Sequence, residues 1–227
     1  METIAERLKS ACETIKQSAL AANRLPNEVQ LLAVTKTKPV SDIVQAYEAG
    51  QRFFGENYVQ EGLEKIEALA DKSDIVWHFI GPLQSNKTRL VAEHFDWVQS
   101  VDRLKIAQRL NQQRSPFKKL NVCIQVNIND EQSKAGIMPN EVDTFAQEIS
   151  QLPQLKLRGL MAIPAANQSE LEQDQSFARM QQLFKVLQAK YEDIDTLSMG
   201  MSADMAIAIK HGATMVRIGR GIFGART

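Results

Sequence analysis

The stretch QLLAVTKTKPVSDIVQAYEA, residues 30–49, decides the fold. Its opening QLLAVTK reads as a buried strand, and the run from residue 40 onward takes the spacing of a helix. Pro39 separates the two, because its ring keeps Lys38 extended and suits the start of the following helix. The rest of the chain repeats this strand–helix unit. Strand-like runs recur at 52–55, 75–80, 96–100, 120–128, 155–163, 195–199 and 214–218. Helical patterns lie between them at roughly 57–70, 86–93, 102–113, 139–150, 169–190 and 202–211.

Strands separated by helices call for a parallel sheet with right-handed crossovers. Eight units in 227 residues predict an α/β fold, a single-domain (β/α)8 TIM barrel; an open doubly wound sheet is the alternative. Residues 3–22 read as an extra N-terminal amphipathic helix, with Ile4, Leu8, Ala11 (or Cys12), Ile15 and Ala19 on one face. Only nine residues follow the last strand, too few for a full outer helix, and the N-terminal helix is available to fill that place. No linker, low-complexity tract or repeated motif interrupts the chain, so residues 1–227 are expected to form one domain.

The composition, 44% hydrophobic and 24% charged, is that of a soluble globular protein. Lys plus Arg and Asp plus Glu both number 27, so no global field draws nucleic acid or an anionic membrane. An anionic ligand must be caught locally. Cys12 and Cys123 are too few for a disulfide framework and are expected to be reduced thiols packed as small hydrophobes. The N-terminus METIAERLKSACETIKQSAL carries charges throughout and lacks the apolar core of a signal peptide. No apolar run approaches the ~18–20 residues of a membrane span. These features predict a cytoplasmic protein. The three histidines show no zinc spacing, and no metal site is expected.

In a barrel, reactive groups stand at the C-terminal ends of the strands. Those ends carry Thr35-Lys36, Gly55-Glu56-Asn57, Gly81 to Gln84, Asn127 to Asn129, Met161 to Pro164, Ser198 to Ser202 and Arg217 to Gly221. Ser202 stands where the N-cap of a helix over Ala203 to Lys210 belongs, and Gly219-Arg220-Gly221 offers backbone amides to an oxyanion. Both fall in the loops where this fold commonly binds phosphate. Lys36 is expected as the last strand residue, over the barrel mouth, and Lys38 in the connecting loop. A neutral lysine amine there can attack an aldehyde; a counter-ion role is the plainer reading. A lysine at the end of strand 1, a phosphate site after strands 7 and 8, and an arginine at the end of strand 8 together point to pyridoxal phosphate, with Arg217 available to face the pyridine nitrogen. The permanently charged Arg217 would leave that nitrogen unprotonated and the cofactor a weaker electron sink. His78, after Trp77 in an apolar strand, reads from its surroundings as a hydrogen-bonded structural histidine. The methionines of SMGMSADM read as core filler, and Lys118-Lys119 as a solvated loop.

Six ordered segments, LLAVTKTKP, FGENYVQE, WHFIGPLQSNKTRLV, LRGLMAIP, SMGMSADM and VRIGRGIFGAR, resemble the signature blocks of the YggS/PROSC family of pyridoxal phosphate homeostasis proteins. The resemblance covers the chain from about residue 5 to Arg226. It implies a barrel like the N-terminal domain of alanine racemase, with pyridoxal 5'-phosphate held as a Schiff base. Lys36 matches the lysine of the internal aldimine, Ser202 with the backbone of Gly219 and Arg220 the phosphate cradle, and Arg217 the arginine near the pyridine nitrogen. Asn57 matches an asparagine at the cofactor site, while Met161 and His78 fall in segments that line it. Arg220 stands where the family usually has a small hydroxyl residue. Lys134 lies in DEQSKAG, a stretch that resembles a family loop.

Racemase-like turnover needs a second proton donor, typically a tyrosine, but Tyr47, Tyr58 and Tyr191 all fall in predicted helices. This agrees with what the resemblance implies, binding and supply of pyridoxal phosphate within vitamin B6 homeostasis, with pyridoxal phosphate-requiring apoenzymes as recipients; a monomer is expected because no long exposed apolar helix offers an interface. An amino-acid racemase-like enzyme using the same lysine is the alternative.

Overall fold

The strands pair strictly in chain order, each parallel to the next, until the last closes on the first. The computed structural model describes residues 2–129, 135–165 and 168–225; Lys134 and Arg226 lie outside them. The barrel consists of β1 Gln30–Val34, β2 Phe53–Glu56, β3 Val76–Phe79, β4 Trp97–Val101, β5 Leu120–Gln125, β6 Leu155–Met161, β7 Thr196–Ser198 and β8 Met215–Ile218. Closure is carried by β8 against β1, with Leu32 beside Arg217 and Ala33 beside Ile218. The closed order excludes the open doubly wound sheet.

The helices alternate with the strands: α1 Ile4–Ala21 precedes the barrel, and α2 Val40–Glu48, α3 Val59–Ala68, α4 Thr88–His94, α5 Leu104–Gln113, α6 Val142–Ser150, α7 Glu170–Gln188 and α8 Met205–Lys210 follow strands 1 to 7 in turn. After β8 the chain makes only the single-turn α9 Arg220–Phe223. As expected, α1 takes the vacant place, packing on α2, α8 and α9. A reciprocal box starts it: the Thr3 hydroxyl accepts from the Glu6 amide, and the Glu6 carboxylate accepts from the Thr3 amide. Ala11 packs toward the core from this helix, whereas Cys12 is exposed. The expectation of two packed thiols holds only for Cys123, which is buried. A helical face is set by spacing, and adjacent residues 11 and 12 cannot both occupy its centre.

Strand alternation produces two separate cores. Outward residues such as Leu31, Ala33, Phe54, Phe79 and Val98 pack under the helices in one large apolar cluster. Inward residues form two smaller clusters, one around Leu32, Ile80 and Met215, the other around Trp97, Cys123 and Met161. Between these inner clusters the barrel holds the buried polar side chains of His78, Gln99, Ser198 and Arg217. Among the described residues, no helix is long and apolar enough to cross a membrane.

Candidate functional site

A cavity of about 620 Å³ opens at the C-terminal ends of the strands. Lys36, Lys38, Asn57, Ser202, Arg217, Gly219 and Arg220 all stand on its wall, with Val34, Ile80 and Ile163 supplying apolar surface. Its described lining includes four cationic side chains and no carboxylate. In a protein with 27 basic and 27 acidic residues, that imbalance marks a local anion site.

Lys36 lies beyond the strand and is not its last residue. β1 ends at Val34, and residues 35–38 form a turn closed by the Lys38 amide donating to the Thr35 carbonyl at 3.0 Å. Thr37 sits at φ 62°, a left-handed conformation that is costly for a β-branched residue. Such strain needs the surroundings to impose it. Here a buried network does so. Lys65 of α3 donates to the Thr35 carbonyl at 2.7 Å, to Glu56 at 2.7 Å and to Glu61 at 2.6 Å. Glu61 also accepts the Thr37 amide at 2.6 Å, and the Thr35 hydroxyl donates to Glu56 at 2.5 Å. The turn is therefore gripped on both sides of Lys36. Burial pushes the Glu56 carboxyl up from its ordinary pKa, with Lys65 pulling the other way. The adjoining Lys38 ammonium donates to the Ala225 carbonyl at 2.5 Å, tying the chain's last described residue to the mouth.

Asn57 continues from β2, and Gly81 is what permits its position. A Cβ at Gly81 would collide with the Asn57 carbonyl, so only glycine lets these two strand ends approach. The Asn57 side-chain oxygen is buried without a hydrogen-bond partner among the described residues. Buried polar atoms of that kind call for an explanation, and a ligand group is one.

Ser202 does not cap a helix. α8 begins at Met205, and Asp204 occupies the cap position. The Asp204 carboxylate turns back to accept the Met201 amide, and the Asp204 amide donates to the Met201 carbonyl at 3.2 Å. This local turn competes with an earlier helix start, a common use of aspartate. Ser202 remains on the cavity wall beside the α9 turn: a Cβ at Gly221 would stand 3.2 Å from its Oγ. Gly219 precedes α9, and the amides of Arg220 and Gly221 belong to a first helical turn, which has no intrahelical acceptors.

Arg217 is 4% exposed. Its NH1 donates to Ser198 Oγ and its NH2 to the Ala162 carbonyl, both at 2.9 Å. Burial lowers its pKa to about 10, which still leaves the guanidinium charged at neutral pH. His78 and Met161 are not among the lining residues. Met161 packs with Trp97 and Cys123 inside the barrel. His78 stacks on Trp97 at 4.9 Å between ring centroids, and burial, with a smaller contribution from Arg158, lowers its pKa to about 3. Both point into the barrel below the mouth, as strand parity directs. Among the described residues no cluster of three metal-ligating side chains occurs.

The family model for the alanine racemase N-terminal domain matches residues 12–227. A pyridoxal phosphate homeostasis protein of Pasteurella multocida is 59% identical, over 99% of this chain and 98% of its own. The chain belongs to the pyridoxal phosphate homeostasis protein family. Among solved structures, PipY of Synechococcus elongatus with PLP bound superposes with a TM-score of 0.83 at 38% identity, covering 98% of this chain and 100% of that one. Alanine racemase of Clostridium difficile shares the fold at a TM-score of 0.72 and 16% identity, with 96% of this chain matched to 56% of the enzyme. Homeostasis proteins of this family thus span the same length as the chain, whereas the racemase continues well beyond the barrel.

Proposed function

We propose that the chain binds pyridoxal 5'-phosphate at the barrel mouth and serves its intracellular supply. The observation that carries this reading is one wall combining Lys36, Arg217, the Ser202–Gly219–Arg220 corner and an unpartnered Asn57 oxygen. The residues fit the cofactor: the cations match its phosphate, the glycines let backbone amides approach it, and Val34, Ile80 and Ile163 offer surface to a ring. PipY, a relative of matching length, has a structure with PLP bound.

In this proposal Ser202 and the amides of Arg220 and Gly221 hold the phosphate, while the Arg220 side chain stands near enough on the same wall to add charge. Arg217 directs N–H donors to the ring nitrogen and yields no proton. Asn57 offers its oxygen as an acceptor. The gripped turn presents the Lys36 amine. Bound there, the cofactor supplies an aldehyde that condenses with that amine, releasing water. Holding without efficient turnover is supported by the wall itself, where the described lining brings no tyrosine, histidine or carboxyl group opposite Lys36. His78 and Met161 would act from beneath the site. Residues 1–227 acting as one binding domain, a monomeric state, a cytoplasmic location and apoenzymes as recipients belong to the same proposal.

Lys36→Ala tests it. The purified wild type should show the visible absorbance of a lysine-bound pyridoxal phosphate, and the variant should lose it. A full band in Lys36→Ala would overturn the assignment. Lysine-dependent exchange of amino-acid α-protons in deuterated water, at catalytic rates, would replace the carrier reading with a racemase-like one.

A further inference from the structure

Behind the cavity, four buried side chains from four different strands join into one line. Arg217 on β8 donates through NH1 to Ser198 Oγ on β7 at 2.9 Å. Ser198 Oγ donates to Gln99 Oε1 on β4 at 2.6 Å. Gln99 Nε2 meets His78 Nδ1 on β3 at 2.9 Å. Ser198, Gln99 and His78 are all 0% exposed, so no solvent competes along the line.

The direction of each bond follows from groups that have no choice. A guanidinium only donates, so Ser198 Oγ accepts from Arg217. The serine hydrogen then needs its own acceptor, and Gln99 Oε1 is in reach at 2.6 Å. That orientation turns the Gln99 amino group toward His78 and toward Met215 Sδ, which it approaches at 3.1 Å. An N–H facing Nδ1 requires a lone pair there, so the imidazole is neutral and carries its hydrogen on Nε2. Two neighbours agree. The ring is stacked on Trp97 at 4.9 Å, and the Arg158 guanidinium lies 4.6 Å from that indole, so a second cation is unwelcome. Nε2 itself is buried without an acceptor among the described residues, a cost to this end of the line, where the ring is held by its stack on Trp97.

We propose that Ser198, Gln99 and His78 form a one-way hydrogen-bond line that positions Arg217, setting which guanidinium N–H groups face the ligand in the cavity. The Ala162 carbonyl, accepting from NH2 at 2.9 Å, is the second fixed point, so the guanidinium plane is held by two acceptors. The three residues are positioning residues: they reach the ligand only through Arg217. The ligand's identity in this inference rests on the pyridoxal phosphate reading; the line itself does not.

The first test uses the ligand-free wild type. Nitrogen-15 NMR of the His78 ring should show the Nε2–H tautomer, unchanged from pH 8 down to pH 5. An Nδ1–H tautomer, or protonation with a midpoint near 6.5, would overturn the line. In Gln99→Glu, a carboxylate replaces the donor, and the signal should change to Nδ1–H or to the doubly protonated ring; an unchanged signal would also overturn it. The second test loads the protein with pyridoxal phosphate. Ser198→Ala should weaken binding about tenfold, the order of one lost hydrogen bond to a charged group, and shift the visible absorption maximum. Ser198→Thr, which keeps the hydroxyl, should restore both. Unchanged affinity and spectrum in Ser198→Ala would remove the positioning role. If the wild type takes up no pyridoxal phosphate, the cofactor reading fails while the NMR result still decides the line.

Discussion

The two faces of the same eight-stranded sheet are built on different principles. Outward, Phe54 and Phe79 share one apolar cluster with Phe95, Ile106 and Leu110 of the surrounding loops and helices, each at most 1% exposed, and the Lys65–Glu56 ion pair at the end of β2 is a buried polar exception on this side. Inward, apolar side chains share the barrel with His78, Gln99, Ser198 and Arg217, whose polar atoms are matched to one another. The outer layer needs volume and tolerates little else changing; a lost methylene costs transfer energy plus a cavity. The inner layer needs direction. There an exchanged donor and acceptor is costly even when the volume is kept. Apart from that pair, which grips the Lys36 turn from the helix side, cohesion lies on the outer face and orientation on the inner one.

Substitutions can break or sharpen this division. The largest effect is expected on the outer face, where Phe79 packs edge-on against Phe95 at 5.5 Å. Phe79→Ala should cost about 3–5 kcal/mol in urea unfolding while the folded fraction binds pyridoxal phosphate as before. Weakened binding in that fraction would mean that the two faces are coupled.

A smaller effect is expected inside, and it depends on pH. The folded pKa of His78, about 3, lies below its ordinary 6.5, so the unfolded chain binds a proton that the folded one refuses. Stability from this residue is complete above pH 6.5 and falls as the pH drops toward 3, by about 1.4 kcal/mol per unit. Between pH 6.5 and 5 the loss should be about 2 kcal/mol. His78→Asn keeps an acceptor for Gln99 and removes the titration. Unfolding measured at both pH values should show a shallower slope by that amount, and equal slopes would refute the buried neutral imidazole.

The smallest change is expected at the mouth. A methyl at Gly221 would sit 3.0 Å from Ile218 Cγ2 and 3.2 Å from Ser202 Oγ, crowding the proposed phosphate corner. Gly221→Ala should weaken pyridoxal phosphate binding about tenfold, or about 1.4 kcal/mol. The melting temperature should fall only slightly, because the methyl presses on a single core side chain, Ile218, which must give by a few tenths of an ångström. A large drop in stability with intact binding would reverse the assignment of this corner.

Much of this architecture is legible in the order of residues along the chain. The alternation of strand and helix predicts the barrel, and the short tail after β8 points to α1 as the missing outer helix. Lys36, Asn57, Ser202, Arg217, Gly219 and Arg220 all stand at or just beyond the ends of predicted strands, and all stand on one wall. The differences have local causes. Ser202 resembles a cap because serine often is one, but Asp204 forms a competing turn with Met201. Lys36 looks like a strand residue because its neighbours are β-branched; the grip of Lys65, Glu56 and Glu61 bends the chain instead. The signals that went unread are a lysine and a glutamate, Lys65 and Glu56, at positions whose spacing makes them face the core.

The sequence by itself determined what depends on neighbours along the chain: strand and helix alternation, the turn at Pro39, and the glycines that permit close approach. Only the tertiary structure decided what depends on closure. Ser198 and Gln99 are 99 residues apart and look like ordinary strand polar residues until β8 meets β1 and the barrel brings them within 2.6 Å. Local preferences act over a few residues, whereas the partner of a buried donor is chosen by the whole sheet.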